Sequence, residues 1–107
     1  MGFQVWATLL TEESCNRLVG KLVDTHCTVK PLSENGTRGV MGETACLLAI
    51  EVSAGFKNVN RSKHKNKMLD FIKSSCDEID AHYFSIVVHD PHHGTTWCGE
   101  GPQGRQQ

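Results

Sequence analysis

The residues best suited to chemistry form a run of cations between positions 57 and 67, where the sequence predicts the start of a helix. The run has no carboxylate and contains Lys57, Arg61, Lys63, His64, Lys65 and Lys67. A helix start exposes unpaired N–H groups and the positive end of the helix dipole, so it favours anions. Phosphate binds well to such N–H groups together with lysine or arginine side chains. The predicted ligands are Arg61, Lys63, Lys65 and Lys67, with Arg38 of the glycine-rich segment 33–43 closing over the anion.

The far end of the same predicted helix carries the opposite charge. Asp77, Glu78 and Asp80 lie at its C-terminal turn, where exposed carbonyl oxygens and the negative end of the dipole favour lysine or arginine. Both ends are therefore charged against the dipole. An anionic ligand would account for the basic end, and the alternative is a solvated patch of surface lysines.

A second group of candidate residues follows the last predicted strand and comprises His89, His92, His93 and Cys98. Imidazole and thiolate are the usual ligands of zinc and copper. Their H-x-x-H-H-x4-C spacing matches no zinc pattern, so we expect surface histidines and predict no metal and no cofactor. His89 or His92 would instead complete the anion pocket.

Catalysis and nucleic-acid binding have little support in the sequence. A nucleophilic Cys27 or Cys98 would need a base within hydrogen-bonding reach, which spacing alone does not supply. The aromatic signature of RNA-binding sheets is absent, and Trp6 and Tyr83 lie in predicted strands. The five irregularly spaced cysteines indicate reduced core residues. We expect a binding protein rather than an enzyme.

Length and composition are those of one ordinary globular domain. The chain has 107 residues, 38% hydrophobic and 21% charged, and a formal net charge of -1. The basic run is therefore a local patch and not a general affinity for polyanions. No apolar run is long enough to span a membrane, and the first residues do not resemble a signal peptide. We expect a cytoplasmic protein that does not associate with membranes.

Hydrophobic patterns predict strands at residues 3–10, 27–32, 44–54 and 82–88. One helix should follow Thr11 with an apolar stripe of Cys15, Leu18, Val19, Leu22 and Val23, and another should bury Leu69, Ile72, Cys76 and Ile79. This βαββαβ order predicts an α+β ferredoxin-like sandwich, a four-stranded antiparallel sheet with both helices on one face. It would occupy residues 1–90, and residues 91–107 would be an irregular, partly mobile tail.

The first, third and fourth predicted strands are apolar at nearly every position, although such a sheet leaves one face without helices. Either the tail or another subunit should cover that face. The element order over residues 3–88 resembles that of PII-type signalling proteins, in which a long loop and neighbouring subunits of a trimer enclose a nucleotide. Residues 76–80 are acidic here, where that family has a glycine- and lysine-rich phosphate loop, so the resemblance is limited to element order.

Two functions follow as expectations. The first is sensing or sequestration of a small phosphate-containing ligand, such as a nucleotide, by a homo-oligomer. The second is a small inhibitor or adaptor, for example one encoded by a phage or mobile element, that binds a host protein. A third hypothesis is metal binding through the C-terminal histidines and Cys98.

Overall fold

In the part of the chain that the structure describes there are two helices and one antiparallel sheet, which confirms the predicted α+β class. The computed structural model describes residues 2–32, 38–40, 45–54 and 64–102, with only the backbone described for 38–40. In chain order the elements are β1 (Phe3–Leu9), α1 (Glu12–Asp24), β2 (Cys27–Pro31), β3 (Arg38–Val40), β4 (Cys46–Ala54), α2 (Lys65–Glu78), β5 (Tyr83–Asp90) and β6 (Gly94–Cys98).

The sheet contains more strands than the four that the sequence predicts. Its strand order is β2-β4-β1-β5-β6, and the short β3 also pairs with β4. β3 lies against the first half of β4, whereas β2 lies against its second half. Every pair is antiparallel. The predicted four-stranded sandwich is therefore too small, because β3 and β6 extend the sheet.

One face of the sheet is buried, and the other is partly exposed. In β1, Val5 and Ala7 are fully buried while Trp6 between them is not. Residues of β4 and β5 that pair directly with Val5 and Ala7 are also buried, and direct cross-strand neighbours share a face. Both helices contribute to the same core. The central strands thus alternate, and the sequence-based expectation of nearly continuous apolar strands overlooked their half-exposed positions.

The two helices pack through the stripes that the sequence predicts. Thr11 is the N-cap of α1 and accepts a hydrogen bond from the Ser14 N–H at 3.0 Å. The buried hydrophobic residues are Cys15, Leu18 and Leu22 in α1 and Met68, Leu69, Ile72 and Cys76 in α2. Of the other residues in the predicted stripes, Val19 and Ile79 are partly buried, and Val23 has 54% of its surface exposed. Within the described part of the chain, no helix is long and apolar enough to cross a membrane.

β5 and β6 form a hairpin in the segment for which the sequence analysis predicts no regular structure. The His93 N–H donates to the Asp90 carbonyl oxygen at 3.1 Å, and Gly94 has a φ of 93°. The hydrogen bond from His93 to Asp90 closes a four-residue β-turn, in which aspartate is favoured at the first position and proline at the second. Asp90 and Pro91 suit the first two positions of that turn. Asp90 therefore ends β5, and Asp90 and Pro91 begin the turn that leads into β6.

Candidate functional site

The basic start of α2 is only partly visible among the described residues. Lys65 and Lys67 lie in its first turn, which contains no acidic residue. His64 is the N-cap and makes no side-chain capping hydrogen bond. Arg61 and Lys63 lie outside the described residues, as does the side chain of Arg38, whose backbone belongs to β3. The described residues thus give this predicted site two lysines and an uncapped helix end.

The two predicted histidines, His89 and His92, lie in β5 and in the turn that follows it. His89 is on β5 between buried Val88 and buried Asp90, so its side chain lies on the sheet face opposite the helices. Its Nδ1 is 2.8 Å from Thr95 Oγ1. His92 is exposed in the hairpin turn, and its backbone N–H donates to Asp90. His89 therefore faces away from the side of the sheet on which Lys65 and Lys67 begin their helix.

The C-terminal histidines serve the hairpin turn in this structure. Asp90 accepts hydrogen bonds from the His92 N–H and from His93 Nδ1, each at 2.9 Å. These bonds, the His92 N–H first, lower the pKa of Asp90 below its ordinary value of 3.8. Among the described residues, no group of three or more His, Cys, Asp or Glu side chains could hold a metal ion. The hairpin explains this cluster without a ligand.

A row of apolar side chains crosses the sheet face on which the described residues form no helix, and we call this face the open face. Trp6 of β1 pairs directly with Ala49 of β4 and with Val87 of β5, and Val87 pairs with Trp97 of β6. Because direct partners share a face, Ala49, Trp6, Val87 and Trp97 form one line across four strands, the aromatic row. Trp97 is 68% exposed at its outer end. The row is a contiguous apolar surface in contact with solvent.

The open face has almost no charge around the aromatic row. One neighbouring row consists of Lys30, Glu51, Gln4, His89 and Thr95 in adjacent strands. Its lysine and glutamate pair directly with each other on β2 and β4. Across β1, β5 and β6 the paired residues of the open face are uncharged apart from the titratable imidazole of His89. This surface offers apolar contact and a few hydrogen bonds.

A separate cleft of about 390 Å³ lies between α2 and the β5–β6 region. Its lining includes Lys73, Asp77, Tyr83, Cys98 and Glu100. Burial and the neighbouring Cys98 raise the pKa of Tyr83 to about 12, and burial also raises the pKa of the Cys98 thiol. A thiol kept protonated is a poor nucleophile. The surroundings of Cys98 therefore give no support to a nucleophilic role, which the sequence alone does not predict either.

Comparisons with protein-family models, with curated proteins and with solved structures give no match.

Sequence reasoning missed the importance of Trp97, because it placed this residue in an irregular tail. The available signal was the β-prone run of residues 95–98 after a turn of the Asp-Pro-x-x-Gly type. Since the aromatic row is both contiguous and exposed, the open face is the candidate functional site.

Proposed function

We propose that the protein is a non-catalytic interaction domain that binds another protein through its open face. The aromatic row is the observation that carries this proposal. Single exposed apolar residues are normal on protein surfaces, whereas contiguous apolar patches mark interaction sites. Tryptophan is also among the residues that contribute most binding energy at the centre of interfaces. Trp6 and Trp97 would be the two anchors, with Val87 between them.

The charge of the open face defines the chemistry of the partner. Its paired positions on β1, β5 and β6 carry no lysine or arginine, and Lys30 on β2 lies opposite Glu51. Nucleic acids and anionic lipid surfaces are bound chiefly through cations. A flat, uncharged and apolar protein surface is complementary to this face. The partner in this proposal is therefore a protein that presents such a surface.

The connections between strands and helices suggest how the fold is built. Each helix joins two strands that run parallel and have one strand between them, β1 to β2 across β4 and β4 to β5 across β1. That arrangement is the split βαβ connection of a ferredoxin-like unit. We propose that β3 and β6 are additions to such a unit. In this view β6 enlarges the open face and supplies its exposed Trp97.

The anion site at the start of α2 stays a prediction, as does its place in a homo-oligomer. An uncapped first turn with two lysines and no acid suits a phosphate. The predicted contribution of His89 to this anion site is harder to accommodate, because His89 lies on the open face and the helices lie on the other face of the sheet. Inorganic phosphate is the simplest ligand with which this site can be tested.

Tryptophan fluorescence tests the interaction proposal once the emission of the free partner has been subtracted, because Trp6 and Trp97 are the two tryptophans of the chain. A tagged protein would be used to capture a partner from host-cell extract, and the purified complex would be compared with the free protein. Binding at the open face should shift the tryptophan emission to shorter wavelength and protect it from acrylamide quenching. Emission that is unchanged in every captured complex would contradict the proposal.

Matched variants make this test specific. Trp97→Ser removes the exposed anchor, and Val23→Ser removes an exposed apolar residue of α1 at 54% exposure. Capture should be lost with Trp97→Ser and retained with Val23→Ser. Equal loss with both variants, or loss with neither, would place the contact elsewhere on the protein.

A further inference from the structure

The two edges of the sheet differ in how they are protected from pairing with other strands. Natural edge strands commonly carry proline, or lysine and other charged residues, and these prevent such pairing. β2 follows this rule with Lys30 and Pro31, and β3 begins with Arg38. β6 has the sequence Gly-Thr-Thr-Trp-Cys and contains neither a charge nor a proline. The unprotected edge is therefore the one formed by β6.

The chain continues alongside β5 beyond β6, and this continuation carries one charged residue, Glu100. Gly101 forms a further bridge to Tyr83, in the same register as the pair of Cys98 with Ile86. The chain thus follows β5 from Gly94 to Gly101. Among the described residues, β5 is the only strand paired with β6, and β6 is the last strand of the sheet. Its outer side presents backbone N–H and carbonyl groups that can pair with another strand.

We propose that β6 pairs antiparallel with β6 of a second copy of this chain. An antiparallel pair of identical strands has a two-fold axis, so one contact covers the free edge of both copies and the assembly is closed. Thr96 is the central residue of β6 and would lie opposite Thr96 of the second copy. Trp97 would then lie opposite Thr95 of the second copy. No charged side chain of β6 would be brought into the contact.

A second copy fits this edge better than a foreign peptide for a reason of symmetry. In the register centred on Thr96, each exposed Trp97 lies opposite the small polar Thr95 of the second copy. The two Thr96 residues, which favour strands, lie opposite each other. The two-fold axis is perpendicular to the sheet, so both open faces lie on the same side of one continuous sheet. The dimer would therefore present two aromatic rows side by side to a partner.

Opposite charges at position 96 test both the contact and its register. The wild-type protein should have about twice the chain mass of 11.8 kDa in light scattering or sedimentation. Thr96→Lys and Thr96→Glu should each have the mass of one chain, because like charges directly opposite each other destabilise strand pairing. Mixing these two variants should restore the dimer. Thr28→Lys, on the edge formed by β2, is the matched control and should remain dimeric.

Hydrogen exchange of the wild-type protein provides a measurement that needs no variant. Outward-pointing amides between Gly94 and Cys98 should be protected at high protein concentration and exchange faster on dilution. A wild-type protein that stays monomeric, including one that binds a peptide at this edge, would overturn the proposal. So would a dimer that both position 96 variants leave intact while they remain folded. This result is separable from the open-face proposal, because Trp97→Ser leaves the backbone edge unchanged.

Discussion

The guanidinium of Arg17 in α1 donates a hydrogen bond to the carbonyl oxygen of Ile79, the C-cap residue of α2. Nearby, Lys21 of α1 forms an ion pair with Glu78 at 2.5 Å. Cations are favourable at the C-terminal end of a helix, and here the neighbouring helix supplies them. The acidic end of α2, which the sequence alone marks as unfavourable, is compensated by the contact between the two helices.

Replacing Arg17 by methionine should destabilise the protein by about 1 kcal/mol, the usual net contribution of one hydrogen bond. The methionine keeps much of the side-chain volume but leaves the Ile79 carbonyl without this donor. Chemical denaturation of the wild-type and Arg17→Met proteins would measure the difference. Lys67→Met is the control, because it removes a cation from the other end of α2 and should not destabilise the protein. Equal losses in both variants would contradict this explanation of the helix end.

The start of α2 has no such compensation in the described residues. Lys67→Glu replaces a cation in the first turn by an acid that suits the positive end of the dipole, and it should stabilise the protein by about 0.3–1 kcal/mol. Thermal unfolding with and without inorganic phosphate would measure both this gain and any ligand effect. If the predicted anion site exists, phosphate should raise the melting temperature of the wild type and have less effect on the variant.

Lys67→Gln separates the two causes, because it removes the positive charge without adding a negative one. Its stability in the absence of phosphate should lie between those of wild type and Lys67→Glu. An absence of phosphate stabilisation in the wild type would remove the support for the ligand hypothesis and would leave the lysines as a solvated surface.

Periodicity predicted the parts of the fold that depend on local pattern. Leu18 and Leu22 repeat with the helical period, and they are buried as expected. Strand order and face coverage depend instead on which strands become neighbours, and no local pattern reveals that Trp6 and Trp97 share one row. The sequence does not predict the β6 hairpin, because Asp90-Pro91 fits the end of a strand as well as the first half of a turn.

Charge patterns were the least reliable guide, because their meaning depends on tertiary neighbours. Asp80 illustrates this point with its positive φ of 58° at the end of α2. Its N–H donates to the Asp77 carbonyl oxygen, and the Ala81 N–H donates to that of Cys76. This bond pattern is the Schellman motif, in which a left-handed residue ends the helix. Asp80 therefore serves the chain reversal, although its charge alone predicts an unfavourable contact.

Gly20 lies in the middle of α1 and is exposed to solvent. A Cβ atom added there would have no neighbour within 4 Å. Gly20→Ala should therefore stabilise the protein by about 0.5–1 kcal/mol, since alanine has the higher helix propensity. Chemical denaturation would measure this gain.

Gly101→Ala is the opposite case, because its Cβ would meet the ring of Tyr83, and it should be destabilising. A destabilising Gly20→Ala would mean that α1 has a contact on this side.

The ionisation of Tyr83 can be followed by absorbance without interference from other tyrosines, because Tyr83 is the only tyrosine of the chain. Burial first, and the adjacent Cys98 next, raise its pKa from 10.0 to about 12. The folded state therefore favours the neutral phenol. Its contribution to stability should be complete below pH 10 and lost as the pH rises from about 10 towards 12. Tyrosinate absorbance should accordingly have its midpoint near pH 12 in the folded protein and near pH 10 in denaturant.

Tyr83→Phe tests the link between this ionisation and stability. The variant should lose less stability than the wild type between pH 10 and pH 12, because phenylalanine has no proton to release. Cys76, whose pKa burial raises to about 12, would still titrate in the variant, so some alkaline sensitivity should remain. A wild-type midpoint near pH 10 under folding conditions would show that the hydroxyl is hydrated, and that the cleft beside α2 is more open than this structure indicates.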